Sequence, residues 1–332
     1  MSRGKLIGII VGVVCIVVVI IVVTTSLPAP EAGPDGETPQ GESGGTIAFY
    51  TAESTHIIEL DGTNERRLTD GWVFGWSPNG RKLVIVKESG VSLIGVDGTG
   101  ETELGIGMSG PGSCLWSASG DELEKVLVVR WGGGRVDLNV LDVASGGTVT
   151  LVEGTVGSTY VLNAVFSPDG KRIAYMTHYS DPGFGWAGNL YVMNSDGTGE
   201  VELVHRLDVT MKPVPVSKWS PDGKKITWHD RWGLGVVNTD GTNKIVLSGY
   251  VTDFDWSPDG NRIAYIEEGD LYTAGPDGTG EVKVAEGVGS FSWSPDGKRF
   301  AVEMGGQINI MNADGSSSTT LVYGSYPIWS PG

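Results

Sequence analysis

The sequence predicts an all-β protein: a seven-bladed β-propeller closed by pairing of its C-terminal strand with its N-terminal blade, preceded by one N-terminal transmembrane helix. Three observations predict it. An aromatic-Ser-Pro-Asp-Gly phrase recurs along the chain, a second Asp-Gly phrase alternates with it, and Gly is abundant, at 52 of 332 residues. After residue 30 no stretch keeps a 3.6-residue period for three turns. Period-2 alternation between clusters of Gly, Pro, Asn and Asp runs throughout, which is the pattern of short strands and tight turns.

At the N-terminus, Leu6 to Val23 is an uncharged run of 18 residues preceded by Arg3 and Lys5. At about 1.5 Å per residue such a helix just crosses the hydrocarbon of a bilayer. The next basic residue is Arg66, whereas Glu31, Asp35, Glu37 and Glu42 come soon after the run. Basic residues stay on the cytoplasmic side. Residues 1–5 are therefore expected in the cytoplasm, 6–27 as a signal anchor, and the rest as an extracytoplasmic part of a single-pass cell-membrane protein. A signal peptide cleaved near Thr24–Ser26 is the alternative, although its apolar region would ordinarily be shorter. Residues 28–45 hold Pro, Gly and acids with almost nothing to bury, and read as a disordered linker.

Residues 46–332 carry the repeats. The first phrase stands at Trp76, Trp116, Phe166, Trp219, Trp256, Trp293 and Trp329, at spacings of 40, 50, 53, 37, 37 and 36. The second stands at Asp61, Asp97, Asp196, Asp240, Asp277 and Asp314, with a degenerate Ala144-Ser-Gly-Gly in the remaining slot. A period near 40 with two turn signals per unit describes a four-stranded propeller blade. Each phrase has turn chemistry. Ser before Pro is pushed to extended backbone, Pro fixes φ at the first corner, Asp bonds its own turn, and Gly takes the left-handed position. The last copy, Tyr326-Pro-Ile-Trp-Ser-Pro-Gly, has no second strand after it, and Thr46-Ile-Ala-Phe-Tyr has no first strand before it. The two halves are expected to complete one blade, which leaves no open sheet edge.

The stretches Phe166-Ser-Pro-Asp-Gly-Lys-Arg-Ile-Ala-Tyr and Leu190-Tyr-Val-Met-Asn-Ser-Asp-Gly-Thr-Gly resemble the TolB-like, WD-repeat-like propeller family. The resemblance covers nearly all of the region after the linker and implies the propeller fold. It implies several functions at once, because that family includes interaction scaffolds, propeller domains of prolyl-oligopeptidase-type peptidases, and lyases, some of which hold a metal on a histidine cluster. The apolar run and linker stand where TolB has a separate N-terminal domain, and no Trp-Asp or Gly-His pair marks a true WD repeat.

Composition narrows the chemistry. A net charge of −17 argues against a nucleic-acid backbone as partner. Gly41-Glu-Ser-Gly-Gly45 spells a hydrolase elbow but lies in the linker, and Gly105-Ile-Gly-Met-Ser-Gly110 spells a dinucleotide fingerprint without a βαβ unit. Cys15 and Cys114 are the two cysteines, one in the apolar run and one in a strand, so no disulfide joins them. Asn194-Ser-Asp-Gly-Thr-Gly-Glu200 places oxygens at alternate positions, as calcium loops do, but lacks the full twelve-residue loop.

The repeat stretches most in blades 3 and 4. Both turn phrases fall on one face of the disc, so the added length falls on the other, in Thr177–Gly188 and His205–Pro213 of blade 4, with Arg130–Gly134 of blade 3 and His229–Trp232 of blade 5 beside them. Loops held by a rigid scaffold are where functional residues gather. Trp131, Tyr179, Phe184, Trp186 and Trp232 are expected to stack on a sugar or anchor a peptide, beside His178, His205 and His229. The expected function is a non-catalytic protein- or glycan-binding scaffold at the cell envelope, with no cofactor. The alternative is a metal-dependent hydrolase or lyase on those three histidines, with calcium or a transition metal as the cofactor to test.

Overall fold

A computed structural model describes residues 45–331, apart from 52–53, 78, 88–89, 105–113, 117–124, 133, 143–144, 146, 156–157, 184 and 210–216. The apolar run 6–27 and linker residues 28–44 lie outside the described residues, as does Phe184. Among the described residues there is no helix, and so none long and apolar enough to cross a membrane.

Seven four-stranded antiparallel sheets form the molecule, a seven-bladed propeller as the repeats predict. In blades 2 to 7 the inner strands are Trp72–Trp76, Cys114–Trp116, Tyr160–Phe166, Ser217–Trp219, Val251–Trp256 and Val288–Trp293. Each is followed by three strands running outward in chain order. Blade 1 is composite: Ser325–Trp329 is its inner strand, hydrogen-bonded to Thr46–Thr51, with Ile47 opposite Trp329 and Ala48 opposite Ile328. Ser54–Glu59 and Arg66–Asp70 complete that sheet.

The turn phrases do the local work expected of them, and one residue type does more. In Ser220-Pro-Asp-Gly the amide of Gly223 donates to the Ser220 carbonyl, and Gly223 has φ of 66°. The Ser220 hydroxyl donates to Asp222 Oδ1 at 2.7 Å, and the amides of Lys224 and Lys225 donate to Asp222 Oδ1 and Ser220 Oγ. Ser220 is buried, so its hydroxyl satisfies groups water does not reach. The same set recurs at Ser167–Arg172, Ser257–Arg262 and Ser294–Arg299. In the second phrase Asp196 Oδ1 accepts from both the amide and the hydroxyl of Thr198. Where that phrase is degenerate, Asp142 accepts from the amide and hydroxyl of Ser145 instead.

Packing lies between blades. Val251, Phe254, Trp256, Ile263 and Tyr265 of blade 6 are buried against Leu234 and Val236 of blade 5. The phrase aromatic also ties blades by hydrogen bonds: Trp219 Nε1 donates to the Val165 carbonyl of blade 4, and Trp256 Nε1 to Thr227 Oγ1 of blade 5, each at 3.1 Å. Arg172 of blade 4 lies over the Trp219 ring at 4.9 Å.

Candidate functional site

The long segment of blade 4 differs from the loop that its polar sequence suggests. Arg172–Asp181 and Gly185–Asn194 are paired strands whose register runs out to Asp181 opposite Gly185. His178, Tyr179 and Trp186 are thus strand residues on a projecting hairpin. His205 likewise sits in the outer strand Val201–Asp208, and His229 in Lys225–Asp230. The reason is backbone hydrogen bonding: an extended ribbon pairs its own amides, which an open loop of that length would leave to water. Gly188 makes the close approach of strands achievable, because a Cβ there would fall on the carbonyl oxygen of Thr177.

Three rings stack through that hairpin. The His178 imidazole lies 4.5 Å from the Tyr160 ring and 4.7 Å from the Trp186 indole, at interplanar angles of 26° and 30°. His178 is buried, its Nδ1 has no hydrogen-bond partner, and burial holds it down to about pKa 4. It is therefore a neutral, apolar spacer at neutral pH, supporting Trp186, which is 45% exposed. Beside it a polar network is complete: Asn189 Nδ2 donates to Glu202 and to Tyr191 OH, and Asn189 Oδ1 accepts from the Arg206 amide at 2.9 Å and from Tyr179 OH at 3.4 Å. Arg206 takes a left-handed φ of 63° and its guanidinium reaches Asp181 at 3.1 Å.

The histidines do not converge. His205 is exposed and bonded to Glu202 at 3.1 Å, while His229 is buried edge-on to Phe254 and held down to about 4, first by burial and then by Lys218. Among the described residues no three of His, Cys, Asp and Glu gather in a way that would hold a metal ion. In Asn194–Glu200 the two carboxylates are already engaged, Asp196 by the amide and hydroxyl of Thr198 and Glu200 by the Tyr175 hydroxyl. Trp232 stands 63% exposed in the turn after Asp230, where Asp230 Oδ1 accepts from its amide. Trp131 lies in the second strand of blade 3, Lys125–Gly132.

Sequence reading missed a charged group between the inner strands of blades 5 and 6. Lys218 Nζ lies 3.4 Å from Asp255 Oδ2 and 5.5 Å from the centre of the Phe254 ring. Burial pushes Asp253 up to about 6, and Asp255 adds to this while Lys218 opposes it. Burial works to lower the Lys218 ammonium, but Asp255 and Asp253 outweigh it and leave it raised. The available signal was the position of these charges directly before and among the blade aromatics, in Lys218-Trp219 and Asp253-Phe254-Asp255-Trp256, hence on innermost strands.

Surface aromatics divide the disc. Among the described residues the exposed aromatics are Trp72, Trp186, Trp232, Tyr250, Tyr323 and Tyr326. By strand order every one lies where inner or third strands begin, or where second or outer strands end. That is the face opposite the two turn phrases. The turn face instead displays the repeated carboxylates, each held below its ordinary pKa by hydrogen bonds from its own turn, first from the Thr198 hydroxyl at Asp196 and from the Ser220 hydroxyl at Asp222.

The class of protein so defined is a seven-bladed β-propeller. No protein-family profile matches the chain, and none of the curated proteins does. Among solved structures it is similar to an oligogalacturonate lyase in complex with manganese, at 14% identity and a TM-score of 0.61, over 83% of this chain and 84% of that one. It is also similar to the oligogalacturonate lyase of Vibrio parahaemolyticus, at 11% identity and 0.54 over 80% and 82%, and to TolB from Acinetobacter baumannii, at 15% and 0.48 over 86% and 82%. At these identities the likeness is one of fold.

Proposed function

We propose that this protein is a membrane-anchored, extracytoplasmic binding scaffold at the cell envelope, without catalysis of its own, whose aromatic face contacts a protein or glycan. The observation that carries the reading is the one-sidedness of the exposed aromatics, above all Trp186 supported on His178 and Trp232 beside it on blade 5. Rings held on a strand, like Trp186, or on a tight turn between strands, like Trp232, offer large contact area at small entropic loss. The described chain begins at Gly45, whose carbonyl accepts from the Leu60 amide at 3.1 Å on the turn face. A tether in the preceding residues would leave from that face and direct the aromatic face away from the membrane. The joining of Ser325–Trp329 to Thr46–Thr51 is read as the clasp that keeps the ring shut under this tethering.

The test is capture from detergent-solubilised membranes by the full-length chain, compared with its Trp186→Ala/Trp232→Ala variant. The scaffold reading expects partners that the wild type retains and the variant loses. Stoichiometric bound metal, lost on His178→Ala, His205→Ala or His229→Ala, would instead overturn the scaffold reading in favour of a metal-dependent one.

A further inference from the structure

A second aromatic group on the same face, remote in sequence from Trp186 and Trp232, lies at the seam of blades 1 and 2. Tyr50 and Trp72 stack at 3.9 Å and 12°, and Tyr326 meets the Trp72 edge at 6.2 Å and 64°. Trp72 is 38% and Tyr326 51% exposed. Tyr326 holds this position with a left-handed φ of 51°, between Ser325 and Pro327. For a bulky residue that backbone costs about 1 kcal/mol or more, and such strain concentrates at functional sites.

Farther round the same face, charge is one-sided. The segments of blades 6 and 7 that reach the same face contain Glu267, Glu268, Asp270, Glu286 and Glu303 with Lys283 as their one basic residue. Blades 1 and 2 add Arg67 and Lys87, each already paired with an acid, Asp70 and Glu101. Lys283 is shared between Asp270 at 2.7 Å and Glu286 at 2.6 Å, so it neutralises part of the set only. Glu268 also adopts left-handed backbone, with φ of 52°, at the tip of the blade 6 hairpin. A face offering ring faces together with uncompensated carboxylates is complementary to side chains that carry a cation on an apolar stem. Polyanions are repelled from it, and a neutral sugar makes no use of the carboxylates' charge.

We infer that the aromatic face over blades 6, 7, 1 and 2 docks a basic, Lys/Arg-bearing polypeptide segment of a partner protein. Its cations lie over Trp72 and Tyr326 and pair with Glu267, Glu268 and Glu303. This rests on the binding-scaffold reading but on different residues, so either can fail alone.

The experiment uses the full-length chain in nanodiscs of neutral lipid and a fluorescein-labelled oligo-arginine peptide, followed by anisotropy. Oligo-glutamate and cello-oligosaccharide serve as comparison probes. Binding of oligo-arginine alone is expected, weakening steeply with salt. Affinity is expected to fall about tenfold in Trp72→Ala/Tyr326→Ala and comparably in Glu267→Gln/Glu268→Gln. It is expected to stay level in Asp196→Asn/Asp240→Asn, which removes equal charge from the opposite face. Trp72→Phe/Tyr326→Phe keeps the rings and should retain most affinity, which separates ring loss from misfolding. No binding, equal loss from both faces, indifference to the aromatic changes, or preference for the sugar would each overturn the inference. Loss of partner capture on Trp186→Ala/Trp232→Ala with no oligo-arginine binding would leave the scaffold standing and this surface refuted.

Discussion

The indole Nε1 of Trp76 donates a hydrogen bond to the carbonyl oxygen of Ile328 at 3.1 Å, joining residues 252 apart in sequence. The bond ties the inner strand of blade 2 to that of blade 1, as Trp219 ties blade 5 to blade 4 through Val165.

Trp76→Phe keeps most of the buried ring and removes the donor, leaving the Ile328 carbonyl short of a partner. A loss of about 1 kcal/mol is expected, against about 3–5 kcal/mol for Trp76→Ala, which also opens a cavity. Urea unfolding of both variants measures the difference. No loss in Trp76→Phe would show that the indole N–H contributes nothing at this seam.

The blade 4 hairpin depends on one glycine. A Cβ at Gly188 would fall on the Thr177 carbonyl oxygen and crowd Val209 Cγ1 at 2.8 Å, so Gly188→Ala must part the two strands beneath Trp186. A loss of about 1–3 kcal/mol is expected, together with weaker partner capture. Gly241→Ala in a turn on the other face meets nothing nearby but has φ of 82°, so it should cost stability without touching capture.

Legibility in the sequence followed how locally each feature is held. The phrase at Ser220–Lys225 closes its hydrogen bonds within five residues, so its role could be read from the residues themselves. The stretch Thr177–Gly188 could not be read that way. Its Pro, Gly and Asp content suggests a loop, yet its strand pairing is decided by amides facing each other across the hairpin. His178 was visible as a candidate, but its burial between Tyr160 and Trp186 depends on a partner strand. Lys218 and Asp255 were equally plain in the sequence, but they become a pair only because successive inner strands stand side by side.

Acid should weaken the fold through its histidines. His178 and His229 are both lowered to about 4, by burial, with Lys218 adding to it at His229. An unfolded histidine takes its proton near 6.5, so this stabilisation is full above about pH 6.5 and is lost as pH falls through 4. Asp253 runs the other way. Raised to about 6, chiefly by burial, it keeps its proton longer in the native state, and its contribution is lost as pH rises from about 4 through 6. Two groups against one gives a net decline on acidification. His178→Gln should flatten the dependence between pH 6.5 and 4, and Asp253→Asn should steepen it, by up to about 1.4 kcal/mol per pH unit each. Unfolding midpoints across that range decide it. An unchanged slope in both variants would mean that neither group titrates abnormally.

Deleting residues 325–332 takes away the inner strand of blade 1. Ile47, Ala48 and Phe49 are fully buried in the intact protein, and their strand would be left with one face of hydrogen-bonding groups open beside the axis. Trp76 would lose its acceptor on Ile328, and Ile308 of blade 7 would lose the packing of Trp329. An exposed edge of apolar strand seeks another strand. In the absence of its own, the exposed Thr46–Thr51 edge of another truncated copy is the strand at hand, so the truncated protein should elute as higher oligomers or aggregate. Adding a synthetic peptide of the deleted sequence should restore the monomer by re-forming the Ile47–Trp329 and Ala48–Ile328 pairs. If the truncated chain instead stays monomeric with an unchanged unfolding midpoint, the ring does not depend on this strand, and the clasp assigned to blade 1 is wrong.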